Sequence, residues 1–174
     1  MNVQPLREDS CQMKRLYVLR HAKSSWDDAS LADFDRPLNS RGLASAPLMG
    51  RTMAERGYLP DVVISSPAAR AATTAKLAAE AAAIKDPILF EGRIYEASPQ
   101  TLVRVISEID QNASSAMIVG HNPGIEGLVS FLTGELAAMP TAALAVIDLE
   151  INEWNAASQQ SGKLVEIITP KEVG

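Results

Sequence analysis

The 174-residue chain has little of what staples, anchors or strongly charges a protein. Its one cysteine, Cys11, allows no internal disulfide and no multi-thiolate zinc site, and it fits a reducing compartment. No apolar run approaches the roughly 20 residues of a membrane helix. The longest candidate, the Ala-rich stretch from Ala68 to Ala83, is broken by Arg70, Lys76 and Glu80. Basic charge is in deficit: 16 Lys and Arg against 21 Asp and Glu leave a formal net charge of -5, which argues against nucleic acid as a partner. Any anion this chain binds must be held by a local cluster. Residues 1–14 contain Arg7, Glu8, Asp9 and Lys14 but no hydrophobic centre, so they lack a secretory signal and read as a mobile tail on a cytoplasmic protein. With 47% hydrophobic and 21% charged residues, the chain has the composition and length of one soluble globular domain, expected at positions 15–174.

What the chain does have is alternation. Short apolar runs at Leu16–Leu19, Asp61–Ser65, Ile88–Phe90, Met117–Val119, Leu144–Leu149 and Leu164–Ile168 read as strands. Between them, apolar residues at three- to four-residue spacing predict helices near Ser40–Arg56, Ala68–Ala83, Pro99–Ile109 and Ile125–Thr133. This order predicts an α/β three-layer sandwich with a mainly parallel sheet and helices on both faces. The last two strands, joined by the polar stretch Asn152–Gly162, are placed to pair as an antiparallel hairpin at one edge.

The loops after these strands carry an uneven share of chemistry. Arg20-His21 follows the first strand, Ser65-Ser66-Pro67 with Arg70 the second, Arg93-Ile94-Tyr95-Glu96 the third and Gly120-His121-Asn122 the fourth. Both histidines of the chain therefore lie just past a strand, at the carboxyl end where open α/β sheets bind ligands. Each feature alone has an ordinary structural reading: a hydrogen-bonded histidine, a surface ion pair, or a Ser-Pro helix start. Arg70 is the odd one, since a helix start disfavours cations. Together, two guanidinium forks and two imidazoles describe a phosphate site. A neutral His21 can attack phosphorus, and nearby guanidinium charges would help keep it neutral. His121 would donate to the transferring phosphoryl group. A metal site is a poor alternative, because zinc normally takes three or four protein ligands and the two histidines are not part of a His-x-x-x-His or Glu-x-x-His pair.

These blocks resemble the histidine phosphatase superfamily, the phosphoglycerate-mutase-like group. The family's Arg-His-Gly signature stands here as Arg20-His21-Ala22. The likeness continues through Ser24 and Trp26, Asp35-Arg36-Pro37-Leu38-Asn39, Arg41-Gly42, Ala46, Ser65-Ser66-Pro67 with Arg70, Ala71 and Thr74, Ile94-Tyr95-Glu96 and Val119-Gly120-His121-Asn122. The resemblance implies that His21 is the nucleophile, that Arg20, Arg70 and His121 form the phosphate pocket, and that Glu96 holds the place of a proton donor. Two positions depart from the pattern. Ala22 replaces a glycine, as in members resembling the SixA-type phosphohistidine phosphatases, and Asp27 replaces an asparagine and is left outside the site.

The short span from Arg70 to Glu96 leaves no room for a sizeable cap, so the expected site is open. A phosphatase acting on protein phosphohistidine, of the SixA type, fits best. The alternatives are a small-molecule phosphomonoesterase acting on a sugar or nucleotide-like phosphate, and a phosphate-binding domain whose catalysis has decayed. The expected partner is a phosphorylated protein or small phosphorylated metabolite, with no cofactor, metal or membrane involved.

Overall fold

The computed structural model describes residues 12–174, so Cys11 and most of the expected N-terminal tail lie outside the described residues. Lys14 corrects the tail's boundary, because it is the first residue of strand β1 (Lys14–Arg20). Its buried ammonium donates to the carbonyls of Gln111 and Ala113 at 2.7 and 2.9 Å. A charged residue beside a polar stretch reads as tail in sequence. Here the long stem crosses apolar surface and spends the charge on backbone acceptors.

The chain continues through α1 (Ser40–Glu55), β2 (Val62–Ser65), α2 (Ala69–Ala81), β3 (Ile88–Phe90), α3 (Pro99–Ser107), β4 (Ser115–Gly120), α4 (Gly124–Thr133), β5 (Leu144–Leu149), β6 (Gly162–Ile168) and a last turn, α5 (Pro170–Val173). Short 3₁₀ turns at Asp33–Asp35, Gly92–Ile94 and Trp154–Ala156, and α5 itself, are additions to the sequence expectation. The six strands form one sheet in the order β3-β2-β4-β1-β5-β6. β1 to β4 are mutually parallel, β5 is antiparallel to β1, and β6 pairs antiparallel to β5, as expected for the hairpin.

Alternation along the strands builds two cores, one on each sheet face. Leu16, Val18, Ile118, Ala145 and Ile147 pack with α3 and α4 residues such as Leu102, Ile106, Leu128 and Leu132. Tyr17, Leu19, Met117, Val119 and Val146 pack with Ala46, Met49 and Met53 of α1 and Ala71, Ala75 and Ala78 of α2. Local chemistry fixes where the helices start and stop. The Asn39 side chain accepts from the Gly42 N–H to cap α1, and Ser98 caps α3 with Pro99 in the first turn. Gly134, at a left-handed φ of 77°, ends α4.

The strand order also locates a crevice. The chain leaves β1 through α1 toward β2 on one side, and leaves β4 through α4 toward β5 on the other, along opposite faces of the sheet. Between β1 and β4 the connections diverge, which opens a ligand site at the carboxyl ends of the two strands.

Close packing of α1 on α2 depends on Gly50, where an added Cβ would lie 2.2 Å from the Ala78 carbonyl oxygen. Gly50→Ala should therefore destabilise the fold by about 1–3 kcal/mol through overpacking, despite the better helix propensity of alanine. Denaturant midpoints of the two proteins check this. Equal or greater stability of the variant would mean that the helices can part at little cost.

Candidate active site

Parallel pairing of β1 and β4 runs as far as Arg20 opposite Gly120, so the next residue on each strand is a histidine. The His21 N–H bonds the Gly120 carbonyl at 3.0 Å, and the two imidazole rings lie 5.1 Å apart between centroids. Arg70 arrives from the first turn of α2, and its burial leaves 6% exposed. The structure thus brings together four of the five residues that the sequence nominated, Arg20, His21, Arg70 and His121.

Hydrogen-bond partners set the two histidines in opposite tautomers. His21 Nδ1 lies 2.7 Å from the Ala22 carbonyl, which can only accept, so Nδ1 carries the proton and Nε2 keeps its lone pair. His121 Nε2 lies 2.8 Å from the Ser66 hydroxyl. That hydroxyl accepts from the Ala68 N–H at 3.2 Å, and among the described residues its own hydrogen has no acceptor other than Nε2, so it donates there and the His121 proton sits on Nδ1. One ring offers a nucleophilic nitrogen and the other a donor.

The arginines are held by groups that leave part of each fork unspent. Arg20 Nη1 donates to the Met139 carbonyl at 2.9 Å. Arg70 donates to the Asp33 carbonyl at 2.6 Å and to its carboxylate at 3.0 Å. Four buried side-chain polar atoms among the described residues lack a partner: Arg20 Nε, Arg70 Nε, His121 Nδ1 and Asn122 Oδ1. The first three are donors converging at one end of the sheet. Buried donors are nearly always paired, so three orphans together mark a place for an acceptor such as phosphate.

Burial dominates the electrostatics. It pushes the His21 imidazolium down to about 4, with Arg70, Arg20 and Arg36 adding to the effect while the Ala22 bond opposes it. His121 is pushed down to about 3, again by burial first and then by the charge of its partner ring. Sequence reasoning credited the arginines with keeping His21 neutral; desolvation is the larger cause.

Residues 16–98 match the model of the histidine phosphatase superfamily (branch 1). An uncharacterized chloroplastic protein of Arabidopsis thaliana is 33% identical over 170 residues, covering 90% of this chain and 78% of the relative. The crystal structure of a SixA protein from Agrobacterium tumefaciens, 32% identical, superposes with a TM-score of 0.78 over 90% of this chain and 98% of the other. The chain belongs to the histidine phosphatase superfamily. A protein histidine phosphatase SixA complexed with tungstate shares the fold at 19% identity, with a TM-score of 0.81 over 92% of this chain and 99% of that one.

Several residues of this histidine phosphatase site escaped the sequence reading. Asp33 is the hub of its rim: the carboxylate pairs with Arg70 and Arg36 and accepts from the Tyr95 hydroxyl at 2.7 Å. The Tyr95 bond is the main reason its acid form is held down to about 2. Tyr95 also stands edge-on to His121, with 5.5 Å between ring centroids. Thr74 receives the Ala22 N–H at 2.9 Å and donates to the Arg70 carbonyl, locking α2 to the loop that carries His21. Glu126 accepts from the Met139 N–H and from Asn122, which steadies the carbonyl that holds Arg20. Arg36, Ser66, Thr74, Tyr95 and Asn122 stand within the motif blocks, though without an assigned role, whereas Asp33, Glu126 and Met139 carry no local signal. Glu96, nominated as proton donor, is exposed beside Tyr95 at a left-handed φ of 54°. Asp27, left outside the site, is exposed.

Among the described residues no group of three or more His, Cys, Asp or Glu side chains could hold a metal ion.

Both imidazoles should stay neutral as the pH falls from 8 to 5, with midpoints below 5 by ¹⁵N-detected NMR. A midpoint near the free value of about 6.5 would show solvated rings instead. The neutral form is the competent one, so competence is lost only as pH drops through the folded value. Unfolded rings protonate near 6.5, so acidification between about 6.5 and 4 favours the unfolded chain.

Proposed function

We propose that the protein is a phosphohistidine phosphatase of the SixA type that works through a phosphorylated His21. The observation that carries this reading is the opposition of tautomers on two imidazoles whose ring centroids lie 5.1 Å apart. His21 presents a lone pair, while His121 Nδ1, Arg20 Nε and Arg70 Nε present unspent donors.

The phosphoryl group binds with its oxygens on these donors, which add charge stabilisation that grows as the bond to the leaving group lengthens. His21 Nε2 attacks phosphorus and a new N–P bond forms. The substrate's P–N bond breaks, and its electron pair leaves with the imidazole of the substrate. Water then attacks phosphorus, the bond to Nε2 breaks, the pair returns to His21, and the water's proton passes to solvent as phosphate departs. The Ala22 carbonyl holds the Nδ1 proton throughout, so the positive charge that forms on the phosphorylated ring is stabilised without a proton transfer. His121, kept neutral by burial, donates without competing for the nucleophile's role.

The substrate class is supported by the short span from Arg70 to Glu96 and by likeness to a SixA protein that is 32% identical. Among the described residues no helix is long and apolar enough to cross a membrane.

Rapid-quench experiments with labelled phosphohistidine peptide should trap an acid-labile, base-stable phosphoenzyme, and His21→Ala should abolish it. Survival of the adduct in that variant would remove His21 from the nucleophile's role.

Glu96 separates phosphohistidine from phosphate esters. An ester expels an alkoxide whose conjugate acid is about as weak as water, at ~15.7, and needs a proton donor. Phosphohistidine leaves as imidazole, whose protonated form lies near ~6.5, and needs far less help. Glu96→Gln should slow phosphoenzyme formation from an ester by about 10²–10⁴-fold and barely change it from a phosphohistidine peptide. Single-turnover rates of the first step check this. Equal slowing with both substrates would defeat the leaving-group argument, and no slowing with either would leave Glu96 a solvated carboxylate.

A further inference from the structure

Beside the phosphate site lies a cleft that the mechanism does not use. Its volume is about 750 Å³, and its walls include Lys23, Arg41, Leu48, Pro140, Pro170 and Lys171. The same loops build both places. Lys23 stands two residues beyond His21, and Pro140 and Thr141 lie between Met139, which holds Arg20, and Ala142, whose N–H bonds the His21 carbonyl. The cleft therefore opens along the carboxyl edge of the sheet on the β5–β6 side, adjoining the crevice between β1 and β4.

Charge sets this cleft apart from the rest of an acidic chain. Three cations line it and no carboxylate does. None of the three forms an ion pair among the described residues. The nearby Glu172 carboxylate is occupied, accepting from the Thr169 N–H and hydroxyl at 2.8 and 3.0 Å. Arg41 sits in the first turn of α1, a 16-residue helix with no acidic residue in that turn, so the helix N-terminus adds its partial positive charge to that of the side chain. Three exposed like charges repel one another, and an anion between them would relieve that repulsion.

Resting on the phosphohistidine phosphatase reading, we propose that this cleft docks an acidic segment of the phosphorylated protein, next to the residue that enters the phosphate site. Size and lining favour a peptide over a small metabolite. A volume of about 750 Å³ is that of a whole ligand cleft rather than a one-anion pocket. Its walls include Ala44, Leu48, Pro140 and Pro170 besides the cations, and such a mixture suits the apolar side chains and carboxylates of a chain segment. A small polar phosphate would leave that apolar surface unused. A segment continuous with the phosphohistidine reaches the cleft along the loops the two sites share.

The test compares the wild type with Arg41→Gln/Lys171→Gln, which alters two exposed side chains outside the catalytic site. Four substrates are needed: a phosphohistidine peptide with Asp and Glu flanks, the same peptide with Asn and Gln flanks, free phosphohistidine, and a bisphosphorylated metabolite. The double variant should lose about 2- to 30-fold in kcat/KM on the acidic peptide, the range expected for two partly exposed charge contacts, and lose nothing on free phosphohistidine. Equal treatment of both peptides by the wild type, or an equal loss on all four substrates, would overturn the proposal. Selective loss on a bisphosphorylated metabolite with none on the peptide would overturn the peptide assignment. Fluorescence anisotropy of a labelled, unphosphorylated acidic peptide separates docking from catalysis. Binding that weakens with salt and in the double variant supports the cleft, and identical binding to both proteins overturns it. If no phosphohistidine substrate is hydrolysed while that binding persists, the catalytic reading falls and the docking site stands.

Discussion

The site depends on one backbone fact: β1 and β4 are hydrogen-bonded neighbours whose pairing ends at Arg20 opposite Gly120. Parallel neighbours about 4.8 Å apart bring equivalent side chains within contact, so two histidines one residue beyond the pairing must meet. Neither could be moved by one position along its strand without turning to the other sheet face. The register is in turn enforced by burial on both faces, because a slip would exchange the residues of the two cores. Catalytic geometry here is a by-product of hydrophobic alternation over the preceding five or six residues.

Bringing these groups together is costly, and the fold distributes that cost. Arg70 lies in the first turn of a helix and almost fully buried, where both the dipole and desolvation oppose a cation. Asp33 offsets this by pairing with Arg70 and Arg36 at once, while Tyr95 steadies the carboxylate. The offset is incomplete, since Nε of Arg20, Nε of Arg70 and Nδ1 of His121 stay unpaired. No protein acceptor among the described residues is spent on these three donors, so the fold leaves them free to meet an anion.

Much of this was legible in the chain. Strand–helix alternation foretold the layered sheet, and Arg20, His21, Arg70 and His121 fell at strand ends in the order the site needs. Boundaries were less legible. The sequence placed the first strand at Leu16–Leu19, whereas pairing with β5 extends it back to Lys14, whose charge disguises a buried position. The residues that tune the site were mostly hidden, for a physical reason. Asp33 acts on Arg70 across 37 positions and on Tyr95 across 62, and Met139 acts on Arg20 across 119, so no local pattern records these contacts. Burial as the dominant cause of histidine neutrality was hidden too, because a sequence displays charges but not the solvent removed from around them.

A pocket that reads only a phosphoryl group cannot by itself choose among phosphorylated molecules, since its donors touch what every candidate shares. Selectivity must come from the rim, and the two sides of the rim differ in chemistry. On one side Trp26, 72% exposed, lies under the Arg36 guanidinium at 3.5 Å, with Phe34 and Tyr95 edge-to-face beyond. On the other, Lys23, Arg41 and Lys171 line the cleft that continues from the catalytic loop. An aromatic wall rewards apolar or planar surface, and a cationic wall rewards carboxylates. A ligand that met both sides at once would have to carry both kinds of surface, spaced across the group held between them.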